Sequence, residues 1–131
     1  MNILIIAPHA DDEILGCGGI MARYIAEGHT VKVLIMTKAI EELFPQSLVE
    51  QARNEAKASH AFLGGSETVF FDFPAPVLDQ TASYKMSIEI SKLISEFQPE
   101  KVYLPPRGEI HKDHKMVFEA ALVAMRPINN C

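Results

Sequence analysis

Apolar and polar positions along this chain switch repeatedly between a strand-like pattern and a helical one, and the switches mark out its elements. Residues 2–7 are almost continuously apolar and β-branched, the pattern of a strand covered on both faces. Residues 13–27 carry Ile14, Cys17, Met21, Tyr24 and Ile25 at helical spacing, and Gly28 follows as a C-cap. A second strand is predicted over 30–37 and a loop over 38–46, where periodicity is lost and Pro45 intervenes. A second helix is predicted over 47–63, with Ser47 as N-cap, Glu50 in a capping box and Gly64-Gly65 as the stop. A third strand over 68–71 precedes a proline-broken loop over 72–79. Met86, Ile90, Leu93, Ile94 and Phe97 form one stripe of a helix over 83–97. A fourth strand over 101–104 stops at Pro105-Pro106, and a last helix runs over about 112–125.

Strand and helix thus alternate four times with no internal repeat, which implies βαβ units and a parallel sheet. Right-handed crossovers favour the strand order 3-2-1-4 in a Rossmann-like α/β three-layer sandwich. In that order strands one and four are neighbours, and the topological switch lies between them. The last strand would then be an open edge, covered by another chain or by more of a larger protein. On this basis a homo-oligomer is expected.

Two clusters stand at that switch. Pro8-His9-Ala10-Asp11-Asp12-Glu13 follows strand one, and His111-Lys112-Asp113-His114 follows strand four. Taken singly, each has a plain explanation. Acids at a helix start accept unpaired N–H groups and suit the helix dipole, and the second cluster reads as a polar first turn. Taken together, histidines and carboxylates at the carboxyl edge of an α/β sheet are the makings of a hydrolytic metal site. His111 and His114 share one face of a helical turn. Asp113 is placed to cap the helix or to hold an imidazole in one tautomer. His29 and His60 are expected to be exposed without a role, and Cys17 to be a small core residue.

Composition narrows the classes. The chain of 131 residues is read as a single domain, 1–131, with 48% hydrophobic and 22% charged residues. Acidic residues outnumber basic ones 17 to 12, for a net charge of -5. A nucleic-acid partner is therefore not expected, since phosphate binding wants a basic face. Two cysteines make no disulfide framework and show no metal-ligand spacing. The apolar start is too short for a signal or a membrane segment, so a cytoplasmic location is expected. Gly16, Gly18 and Gly19 fall inside the first helix, which is not the dinucleotide-binding fingerprint. A phosphate-ester hydrolase is disfavoured because no basic cluster lies near the motifs.

These residues resemble the PIG-L / LmbE-like family of zinc-dependent N-deacetylases. The first cluster is similar to that family's (P/A)-H-P-D-D-E motif, with Ala10 where proline is usual, and the second matches its H-x-D-H motif. Arg53-Asn54-Glu55-Ala56 looks like its R-x-E-A helix, and Phe71-Asp72-Phe73-Pro74 like its loop after strand three. The resemblance implies His9, Asp12 and His114 as ligands of zinc or another divalent metal. It further implies Asp11 as general base, His111 as the group that stabilises or protonates the reacting centre, and Asp113 as the residue that orients His111. Arg53 would reach substrate. The implied reaction removes an acetyl group from the amide nitrogen of an N-acetylated amino sugar or its glycoside. Family members usually continue further, so their C-terminal strands are expected to be missing here. The alternative is an inactive metal- or ligand-binding fragment or subunit of the same fold. The loop after strand two is hydrophobic, with Ile40, Leu43 and Phe44, and is read as a pocket wall or a contact surface for another subunit.

Overall fold

A computed structural model of the chain describes residues 1–10, 12–64, 67–106 and 110–126. Four strands, β1 (Asn2–Ala7), β2 (Thr30–Ala39), β3 (Glu67–Ala75) and β4 (Lys101–Tyr103), alternate with four helices, α1 (Asp12–Ala26), α2 (Gln46–Phe62), α3 (Ser83–Phe97) and α4 (Lys112–Ala124). A short 3-10 turn spans Leu78–Gln80. All strand pairs are parallel, in the order β3-β2-β1-β4 inferred from the crossovers.

The alternation of side chains along β1 divides the core in two. Leu4 and Ile6 face α3 and α4, packing with Leu34, Met36, Met86, Ile90, Val117 and Ala121. Ile3 and Ile5 face α1 and α2, packing with Val31, Val33, Met21 and Ala56. Both faces of the sheet are therefore covered, which is why β1 reads as an unbroken apolar run. Among the described residues no helix is long and apolar enough to cross a membrane.

The expected boundaries need three corrections. Helix α2 begins at Gln46 after Pro45, and no side chain caps it, so the Ser47–Glu50 capping box does not form. Proline's fixed φ enters a helix readily, which leaves the serine no capping position to fill. Strand β2 runs on to Ala39. Strand β3 likewise continues through Phe71-Asp72-Phe73-Pro74 to Ala75, where a loop is expected from the prolines. An edge strand tolerates proline because one side of it needs no ladder donor, and β3 is an edge. Gly28 and Gly64 adopt φ of 87° and 86° at the ends of α1 and α2, as the stop signals require. Gly65 lies outside the described residues.

Candidate metal centre

Strands β1 and β4 pair directly, Ile3 against Lys101 and Ile5 against Tyr103, so the segments leaving their carboxyl ends emerge side by side. The segment after β1 is pinned by Thr37, whose buried hydroxyl donates to the Pro8 carbonyl at 2.7 Å. It then turns tightly into α1. The His9 backbone N–H donates to Asp12 Oδ2 at 3.0 Å, and the Asp12 N–H donates to the His9 carbonyl at 3.3 Å. After β4 the chain enters α4 with His111 as its N-cap: His111 Nδ1 accepts from the Asp113 N–H at 3.1 Å.

The two expected clusters do meet. The rings of His9, His111 and His114 lie with centroids 4.9, 5.3 and 5.0 Å apart. Asp12 Oδ2 is 3.4 Å from His9 Nδ1 and 3.2 Å from His114 Nε2. A tetrahedral ion with bonds of 2.0–2.1 Å holds neighbouring ligand atoms roughly 3.3 Å apart. Asp12 thus stands from both histidines at the spacing of such a shell, and one ligand atom from each of the three falls within 4.8 Å of the others.

The remaining nitrogen of His9 fits the same assignment. His9 Nε2 is 2.8 Å from Asp113 Oδ2. With Nε2 carrying the proton to that carboxylate, the Nδ1 lone pair is left facing Asp12, the tautomer a metal requires. Asp113 is fully buried, and its Oδ1 accepts from the Leu78 N–H at 3.1 Å. The Asp113 carboxylate thus holds His9 and anchors the Leu78 turn, and its backbone N–H meets His111.

Charge follows this geometry. Burial pulls the His9 pKa down, but hydrogen bonds to Asp12 and Asp113 and their charges outweigh it, and the pKa ends above the usual value. Burial pushes Asp12 up, yet hydrogen bonds from the His9 ring and backbone, with the charges of His114 and His9, hold it below the usual carboxylate value.

Arg53 bridges strand ends beside the site. Its guanidinium donates to the Phe71 carbonyl at 2.8 Å, pairs with Asp72 at 2.8 Å and lies over the Phe70 ring. It also lines a cavity of about 320 Å³ that reaches His9 and His111. A larger groove of about 680 Å³ between α3 and α4 has no histidine in its lining. We place the site away from that groove: His9 and His111 line the smaller cavity, and Asp12 and His114 line a third of about 150 Å³. Asp11, the expected general base, lies outside the described residues.

One pair escapes the sequence pattern. His60, expected to be exposed, is 2% exposed, and its Nε2 meets Glu13 Oε1 at 2.8 Å beneath the metal-side helix. His60 Nδ1 contacts the Thr68 hydroxyl on β3. The other Glu13 oxygen has no partner among the described residues. No local signal points to His60; the presence of Glu13 beside the two aspartates is the only hint. His29 is half-buried rather than exposed, bonded to the N-terminal amine at 2.9 Å. Cys17 packs against the α1–α2 core, as expected.

The family model described as PIG-L: GlcNAc-PI de-N-acetylase matches residues 4–125. The chain belongs to this family. Among curated relatives of this PIG-L chain, an Escherichia coli protein named "Uncharacterized deacetylase YaiS" is 29% identical, over 97% of this chain and 69% of its own length. A 1D-myo-inositol 2-acetamido-2-deoxy-alpha-D-glucopyranoside deacetylase of Kineococcus radiotolerans is 26% identical, over 95% of this chain and 44% of its own. The solved N,N'-diacetylchitobiose deacetylase of Pyrococcus horikoshii superposes with a TM-score of 0.81 at 23% identity, over 94% of this chain and 48% of its own. The PIG-L chain described here thus spans about half the length of the last two.

Proposed function

We propose that this chain carries the catalytic half-site of a metal-dependent N-deacetylase, acting on the acetamide of an amino sugar or its glycoside. A shared fold hosts many reactions, so the reading rests on the site. The observation that carries it is the His9–Asp12–His114 spacing, with the second nitrogen of His9 held by buried Asp113. Relatives named as deacetylases of acetamido sugars support the substrate class.

Zinc or another divalent cation bound by His9, Asp12 and His114 would supply a Lewis acid and a more acidic water. The chain's own groups then divide the work. Asp11, adjoining Asp12, takes the proton of the attacking water as general base and returns it to the departing amine. Because His111 accepts at Nδ1 from Asp113 N–H, Nε2 is the nitrogen that carries its proton. That exposed N–H is available to the carbonyl oxygen as negative charge develops there. The acyl carbon gains the water oxygen, the C–N bond breaks, and acetate and a free amine leave. Arg53 contacts the amine-bearing part of the substrate from across the cavity.

The deciding experiment measures bound metal and acetate release together. Wild type should bind about one equivalent of divalent metal and release acetate from N-acetylglucosamine or its glycosides. His114→Ala should lose both, and Asp11→Asn should keep the metal while losing most activity. Loss of metal in Asp11→Asn would overturn the division of labour between the aspartates. Metal retained by wild type with no acetate from any acetamido sugar would favour an inactive ligand-binding subunit.

A further inference from the structure

The cavity beside His9 and His111 has a composition that the deacetylation chemistry does not call for. Its walls are Ile35, Ala39, Phe44, Val49, Ala75 and Pro76. At about 320 Å³ it falls at the small end of ligand sites, which span roughly 300–1,000 Å³. The acyl group removed in the proposed reaction has two carbons and fills little of that volume. What remains is open to the amine side of the substrate.

Of the polar residues that line the cavity, Thr37, Arg53 and His9 are engaged by the protein, which leaves Lys38 and His111 to meet a substrate. The Thr37 hydroxyl is spent on the Pro8 carbonyl. Arg53 Nη2 is engaged by the Phe71 carbonyl and Asp72. His9 is held between Asp12 and Asp113. A sugar ring driven deep into this space would bury more hydroxyls than Lys38 and His111 can meet, which is costly. An apolar substituent meets no such penalty.

The rim continues the same character. The turn from Ile40 to Phe44 is closed by the Leu43 and Phe44 N–H groups donating to the Ile40 carbonyl. It leaves Leu43 58%, Phe44 45% and, at the start of α2, Leu48 54% exposed. Phe44 belongs both to this turn and to the cavity lining, so it joins an apolar rim to an apolar wall. Burying apolar area from such a rim is the main source of affinity open to a substrate here.

We propose that the substrate's amine-bearing part carries an apolar aglycone, and that Phe44 is the residue that selects for it. This rests on the deacetylase reading above. The sugar ring then sits nearer the mouth, with the scissile amide at His111 and the aglycone against Phe44 and Val49.

The test compares zinc-loaded protein on methyl and hexyl β-glycosides of N-acetylglucosamine, with N-hexanoylglucosamine as a third substrate. The hexyl glycoside should exceed the methyl glycoside by at least tenfold in kcat/KM, since burying two methylenes gives about that factor. In Phe44→Ser, on an exposed turn that tolerates a polar residue, the ratio should fall towards one. A ratio near one in wild type, or one unchanged in Phe44→Ser, overturns the proposal. So does a preference for the long acyl chain over the long aglycone, which would put the acyl group in the cavity. If nothing is hydrolysed, the deacetylase reading fails separately. Calorimetric binding of the two glycosides then decides the aglycone preference: equal affinities overturn it, and tighter hexyl binding lost in Phe44→Ser supports it.

Discussion

His9 Nε2 and Asp113 Oδ2 stand 2.8 Å apart although 104 residues separate them in the chain. Through that contact a fully buried carboxylate sets which nitrogen of His9 faces Asp12. Asp113→Asn should therefore weaken metal binding 10–100-fold, the usual cost of losing a ligand's supporting partner. Competition with a chromogenic chelator measures it, and an unchanged affinity would remove Asp113 from the site. Asp113→Ala should in addition lower stability by about 1–3 kcal/mol, because the Leu78 N–H is left without its acceptor.

The Glu13–His60 pair supplies a second prediction. Both side chains are shut away from solvent. His60→Ala should cost roughly 1–3 kcal/mol in urea unfolding, the range for leaving a buried polar group without its hydrogen-bond partner. Replacing both, as Glu13→Leu with His60→Leu, should cost less than the sum of the single changes, since neither residue is then left without the other and only the Thr68 hydroxyl loses its partner. Additive losses would mean that the two residues do not act as a pair.

The helix-ending glycines separate two kinds of backbone cost. Gly28→Ala meets open space and pays only for its left-handed backbone, about 1–2 kcal/mol. Gly64→Ala has the same φ problem and also sets its Cβ 3.0 Å from Ile25 Cγ2. It should lower the melting temperature more than Gly28→Ala. Equal shifts would mean that Ile25 moves aside freely.

Cys17 should be a slow nucleophile. Burial, and then the neighbouring Glu13 carboxylate, push its thiol pKa up, so little thiolate exists at neutral pH. Alkylation by iodoacetamide at pH 7, followed by peptide mapping, should be slower at Cys17 than for a free thiol such as glutathione. Faster labelling would contradict the buried setting.

Much of this architecture is written in local patterns. Continuous apolar runs and helical stripes set the four strands and four helices, and crossover handedness set their order. The meeting of the two clusters followed from that order alone. Features that depend on partners distant in sequence were not legible. Nothing around His60 foretells burial, because its partner Glu13 is 47 residues away. The orientation of Asp113 needed the Leu78 turn and His9 together. The full length of β3 is hidden because proline signals a break locally, whereas its place at the sheet edge makes the residue harmless.

The β1–β4 pairing spans only three residues on each strand, yet it joins the first strand of the chain to the last one described. An ion held by His9, Asp12 and His114 would act as a clasp across that short seam, closing a loop that takes in nearly the whole sheet. Loading the ion would then do more than equip the site. It would tie the last strand to the first, so that fraying of the sheet at β4 and release of the ion become one event.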